Sequence, residues 1–249
     1  MSGLVIDIET VGEDFDALDD TTQSVLTRWI KKESSSDVEY QVALKDLKNG
    51  LGFSPLTGQT VVIGVYDTQK KLGTIYFQAP GQSIEEFTED GITFKQRTEQ
   101  GMLTDFWNGA IQYHEFITFN GRAFDIPFLM IRSAVHHVRV TKDLLSNRYL
   151  GSQKFNSKHI DLMDQLTFYG AVRRGCSLHL ASRAFGITSP KQQGITGDDV
   201  GRLFKEGKCL EIARYNVGDL RATNELYQYW QSYLSFDGNT THNVLWILH

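Results

Sequence analysis

The stretch LVIDIET, Leu4 to Thr10, most constrains what this chain can become: it has the apolar content of an interior β-strand yet carries two carboxylates. Alternate residues of a strand share a face, so Asp7 and Glu9 project together while Leu4, Ile6 and Ile8 project the other way. Two like charges then stand side by side. A buried carboxylate in that position takes up a proton unless something positive lies between the pair, and a bound cation removes the conflict. A solvated strand end explains an isolated Asp-x-Glu better. The metal reading therefore needs further acids to arrive from elsewhere in the chain.

With 249 residues, 41% of them hydrophobic, the chain can bury a full core, and it reads as one domain over 1–249. Cys176 and Cys209 have no CxxC spacing and no histidine cluster, which removes a disulfide framework and a structural zinc site. No segment approaches the roughly 18 apolar residues of a bilayer span. The N-terminus also lacks a basic region followed by an apolar run, so a cytoplasmic protein without membrane contact is expected. Asn239-Thr240-Thr241 fits the glycosylation pattern but reads as a polar turn before a last strand-like segment.

A net charge of −5 argues against gripping nucleic acid by bulk charge, but the charge is unevenly spread. Residues 1–121 carry −10, residues 122–174 carry +5 and residues 175–249 carry 0. In the middle segment Arg122, Arg132, Arg139, Lys142, Arg148, Lys154, Lys158, Arg173 and Arg174 are interleaved with Phe155, Phe168 and Tyr169. Basic residues among aromatics suit single-stranded nucleic acid, where phosphates need charge and bases need flat apolar partners. A solvated basic face accounts for this segment equally well.

Along the chain, residues 13–52 are acidic and polar with helix-like apolar spacing at Leu18, Val25, Leu26, Trp29 and Ile30. They form a helical excursion, with 13–58 as an insertion after the first strand. VVIGVYD at 61–67 and LGTIYFQ at 72–78 flank a short polar turn and predict a hairpin. Residues 80–92 read as loop, 96–113 as an amphipathic helix and EFITFN at 115–120 as a short buried strand. Helices are expected from Asp125, with Pro127 in its first turn, over 177–185, near 198–206 and over 209–234. This order predicts an α/β domain with a mixed central sheet flanked by helices.

Two places besides the opening strand combine acids with element ends. FNGRAFD puts Asn120 and Asp125 just past a strand, and ARYNVGDLRAT puts Tyr215 and Asp219 four apart on one helix face. Four acids from three distant segments can thus converge. The set DIET, N-x-x-x-F-D and Y-x-x-x-D resembles the three exonuclease motifs of the DEDD superfamily of 3′→5′ exonucleases. Tyrosine four residues before the last aspartate resembles the DEDDy branch; Arg214 stands where the other branch has histidine. SPLTGQTVVIGVYD and HIDLMDQLTFYG are similar to the proofreading exonuclease domains of B-family DNA polymerases and to free-standing predicted exonucleases like them.

The resemblance implies a ribonuclease H-like fold, two divalent ions (Mg2+ or Mn2+) and stepwise release of nucleoside monophosphates from a 3′ end. It makes Asp7, Glu9, Asp125 and Asp219 metal ligands and catalytic residues. Tyr215 orients the attacking water; beside these, Arg122 and Phe124 are expected to contact substrate, and Asn120 to contact substrate or hold the loop. Hard oxygen ligands select magnesium or manganese over zinc, and two cations can activate a water and hold charge on the leaving oxygen. The expected partner is single-stranded nucleic acid, DNA in preference to RNA, with room for a separate polymerase or repair partner. An exoribonuclease, a binding module that keeps only the fold and a small-molecule phosphatase are the rival readings.

Asp161 and Asp164 could add an outer-sphere carboxylate, although a solvated helix start explains them as well. His136 and His137 are adjacent, cannot share a helix face and read as surface or packing residues. Lys191 and Gln192 could touch a phosphate, but an ordinary loop explains them better.

Overall fold

β1 (Gly3–Gly12) is the hub of a seven-stranded sheet. The computed structural model describes residues 2–188 and 196–236. β2 (Gly58–Asp67) and β3 (Leu72–Phe77) follow as an antiparallel hairpin, as the sequence predicts. β4 (Phe87–Glu89), β5 (Ile92–Gln96), β6 (Glu115–Thr118) and β7 (Lys158–Asp161) complete the order β4-β5-β3-β2-β1-β6-β7. β1 pairs antiparallel with β2 and parallel with β6, so the sheet is mixed.

Helices cover both faces. α3 (Glu99–Ala110) and α4 (Asp125–Val135) pack on one, where Leu4, Ile6 and Ile8 meet Met102, Leu103, Phe106, Phe128 and Leu129. On the other, Val5, Val62 and Ile117 meet Ile212, Ala213, Val217 and Leu220 of α8 (Cys209–Tyr233). α5 (Leu162–Leu166), α6 (Leu178–Ala184) and α7 (Val200–Lys205) contribute Leu162, Ala181 and Leu203 to that second core. Two-residue periodicity in β1 thus sends its aliphatics to both layers and aims Asp7 and Glu9 at α8.

The insertion folds as α1 (Asp20–Glu33) and α2 (Asp37–Gly50), then a single 3-10 turn, Leu51–Phe53, that returns to the sheet. Asp19 and Ser36 cap the two helices by accepting from Thr22 N and Glu39 N. Of the apolar positions that predict the first helix, Ile30 is buried but Val25 and Trp29 are exposed, because α1 packs chiefly on α2 and a pair of helices cannot enclose a full apolar stripe. The returning turn is fastened: Thr10 Oγ1 donates to Gly52 O at 2.7 Å, Glu13 N to Thr57 O at 2.8 Å, and Arg132 to Pro55 O at 3.3 Å.

Three expectations are corrected. Residues 80–92 are not all loop, since β4 and the start of β5 form a hairpin around Asp90 and Gly91. Both turn residues have positive φ, 49° and 77°, the signature of a two-residue hairpin turn. Ile92 and Phe94 are buried with strand alternation, and the helix begins only at Glu99, so 96–113 is too long. Finally, residues 158–161 are a strand paired in parallel with β6, and Asp161 is buried at its end instead of solvated on a helix. Lys191, Gln192 and Asn239-Thr240-Thr241 lie outside the described residues.

Candidate metal centre and active site

Asp7, Glu9 and Asp219 come together from opposite ends of the chain, and each offers a carboxylate oxygen within 4.8 Å of the others. β1 supplies the first two. α8 crosses that face of the sheet and supplies Asp219, with Tyr215 one turn earlier and Asn216 between them. The Tyr215 hydroxyl hydrogen-bonds the Asp219 carboxylate. Asn216 Nδ2 donates to Asp7 Oδ2 at 2.7 Å and lies 3.4 Å from Glu9 Oε1.

Close approach of α8 depends on Gly64, which pairs with Asp7 across the β1–β2 ladder. A Cβ there would lie 1.9 Å from Asn216 Oδ1 and 2.8 Å from Leu220 Cδ1. With Asn216 in place, a larger residue at 64 would force that amide, or the helix that carries it, out of this position.

Asp125, in the first turn of α4, stands outside this group of three but near enough for its charge to act on Asp7 and Glu9. β6 pairs with β1 only over Gly3–Val5, which leaves the Ile8 N–H beyond the end of that ladder. The Asp125 carboxylate accepts it at 3.1 Å, between the two β1 acids. A buried N–H needs a partner, and here an acid provides it.

Charge follows from this crowding. Burial first, and the carboxylates around them second, hold Asp7 and Glu9 well above the ordinary carboxylate range. Burial likewise pushes Asp125 up to about 7 despite its backbone hydrogen bonds. Tyr215 is driven well above its usual value by burial and by Asp219, Glu9 and Asp7, so it keeps its proton at neutral pH. Among the described residues no lysine or arginine pairs with Asp7 or Glu9.

A sequence model of the family described as "Predicted 3'-5' exonuclease related to the exonuclease domain of PolB" matches residues 75–243. The chain belongs to this family. The matched span contains Asn120, Asp125, Tyr215 and Asp219 and begins after the β1 acids. Among solved structures, the chain is similar to the family B DNA polymerase from the hyperthermophilic archaeon Pyrobaculum calidifontis. That likeness has a TM-score of 0.55 and 16% identity over 92% of this chain, and it shows a ribonuclease H-like α/β fold. The chain spans 24% of the polymerase's length. No curated protein matches it.

In this member of the PolB-related exonuclease family the loop before α4 is held by Asp161. Its carboxylate accepts Asn120 N at 2.8 Å, Arg122 N at 2.9 Å and Met163 N at 3.0 Å. Three backbone donors occupy it, so Asp161 shapes the loop that delivers Asp125. Asn120 stands there with φ of 65°, a left-handed conformation that asparagine tolerates. The Arg122 guanidinium donates to Leu144 O and Leu145 O, both at 3.2 Å, and so ties down the neighbouring segment.

The Phe124 ring lies 5.6 Å from that of Phe128 and 6.3 Å from that of Phe53, which the insertion brings in 66% exposed. His136 is bonded to Glu99 at 2.6 Å in a buried cluster with Arg132, away from the acids. The residues that sequence reasoning missed are Asn216, Gly64, Phe53 and Glu99. Only Asn216 carried a readable signal, since it stands three residues before Asp219 on the same helix face.

Proposed function

We propose that this chain is a metal-dependent 3′→5′ exonuclease of DEDDy type. It hydrolyses single-stranded nucleic acid, DNA in preference to RNA, and releases nucleoside 5′-monophosphates. One observation carries the reading: three carboxylates from two remote segments bring oxygens within 4.8 Å of one another, with a fourth, Asp125, bonded to the strand between two of them. Carboxylate oxygens clustered in this way fit divalent cations with hard oxygen preference, Mg2+ or Mn2+. When bound, two such ions supply the charge that makes water nucleophilic at neutral pH and stabilises the leaving oxygen.

The protein's part is to hold and orient. Asp7, Glu9, Asp219 and Asp125 would hold the ions through their carboxylate oxygens. Tyr215, kept protonated by its surroundings, is a hydrogen-bond partner that orients the attacking water and is not a base. Phe124, with Phe53 against it, presents an apolar flat face to a terminal base. Asn120 lines the approach, and Arg122 fixes its wall through the carbonyls it holds. Residues 1–249 act as one domain, with 13–58 as its insertion.

The test is a 5′-labelled oligonucleotide. It should shorten stepwise from the 3′ end with Mg2+ or Mn2+, stay intact in chelator, and stay intact with Asp7→Ala. Matched DNA and RNA oligomers rank the substrates. No shortening of either in either metal would refute the proposal.

A further inference from the structure

We propose that Asn216 is a positioning residue whose side-chain amide holds Asp7 and Glu9 in the paired orientation that grips a divalent cation. The inference rests on the metal-centre reading above and adds a residue to it.

Asn216 is fully buried, and its Nδ2 is shared between the two β1 carboxylates, at 2.7 and 3.4 Å. The amide orientation is dictated by its neighbours. A carboxylate oxygen accepts, so the NH2 group must face the acids and the carbonyl oxygen must face away. That oxygen has no hydrogen-bond partner. It rests in the space that a side chain at Gly64 would fill, 1.9 Å from the ideal Cβ position.

Packing alone does not explain such a residue. An aliphatic side chain would fill this volume without burying an unsatisfied carbonyl, and orphaned buried polar atoms are unfavourable. Two features of the chain are instead shaped around the amide, the missing side chain at 64 and the helix turn that places Asn216 three residues before Asp219. Its chemistry also suits the task. Lysine or arginine in this place would neutralise the charge a cation needs, whereas a neutral donor orients both carboxylates and leaves their charge available.

Calorimetric titration with Mn2+ alone, beside thermal melting in chelator, separates this role from a structural one. Asn216→Ala should weaken Mn2+ binding roughly ten- to a hundredfold, the range usual for partners that orient metal ligands. It should also lower the melting temperature through the cavity it leaves. In the double variant Gly64→Ala/Asn216→Ala the new methyl group occupies that cavity. Its melting temperature should return toward that of the unsubstituted protein while Mn2+ affinity stays low. Unchanged Mn2+ affinity in Asn216→Ala would overturn the inference. So would affinity that recovers together with melting temperature in the double variant. If the unsubstituted protein bound no Mn2+, the metal-centre reading itself would fall, and this inference with it.

Discussion

Replacing Asp7 by asparagine should make the metal-free protein more stable while disarming it. Asp7 offers an oxygen within 4.8 Å of both Glu9 and Asp219. At an effective dielectric of about 20, two full charges at that distance repel by about 3 kcal/mol. The metal-free cluster lowers this by retaining protons, as the raised Asp7 and Glu9 show. A net gain of roughly 1–3 kcal/mol is therefore expected, or about 2–6 °C in melting temperature for a chain of this size. Asparagine keeps an oxygen that can still accept from Asn216 and is cheaper to bury than a carboxylate. Scanning calorimetry in chelator reads the first half of the prediction, and a Mn2+ titration reads the second. At a hundredfold excess over its dissociation constant, the ion should stabilise the unsubstituted protein by about 2.7 kcal/mol. Asp7→Asn should lose most of that response and all oligonucleotide shortening. A variant that melts lower than the unsubstituted protein in chelator, or that still answers fully to Mn2+, would refute the reasoning.

Glu99 is buried and accepts from Arg132 at 2.7 and 2.9 Å and from Thr60 N at 2.8 Å, so Glu99→Ala should cost about 3–5 kcal/mol and roughly 6–10 °C; a loss under 2 °C contradicts this. His159 donates from Nδ1 to Leu144 O at 3.0 Å and sits 2.8 Å from the Thr118 hydroxyl, and burial pushes its imidazole down to about 4. The unfolded chain binds the extra proton first, so this contribution is whole above about pH 6.5 and fades by roughly 3 kcal/mol as pH falls to about 4. His159→Gln should flatten that part of the urea-midpoint profile, and an unchanged slope would count against it. Tyr215→Phe should keep Mn2+ affinity and lower kcat on the order of a hundredfold, the cost of a misplaced nucleophile; full activity would remove Tyr215 from the reaction. Phe53→Ala should raise KM for single strands roughly 5- to 150-fold with little change in kcat, and an unchanged KM would leave the insertion's aromatic without a substrate role.

The site's acids were legible because they obey short rules. Asp7 and Glu9 stand two apart on a strand, and Tyr215 and Asp219 stand four apart on a helix, so local geometry alone puts each pair on one face. The alternation of β1 and the β2–β3 hairpin were legible for the same reason. What failed depended on contacts between distant segments. Nothing local marks Asp161 as the acceptor of two N–H groups forty residues away, or Phe53 as the neighbour of Phe124. Gly64 looks like any strand glycine until α8 is laid across it. The β4–β5 hairpin is different, since Asp90-Gly91 announced it, and the surrounding polar residues hid β4, whose three residues are too few to show periodicity.

The division of the acid pocket between β1 and α8 has a consequence for the protein's life on the ribosome. Asp7 and Glu9 are made before Asp219, which follows them by more than two hundred residues. A nascent chain therefore carries half a blade, and so does any proteolytic fragment that ends before α8. Under the proposed function, cutting power would appear only once α8 has been made and has docked, so partial products would lack it.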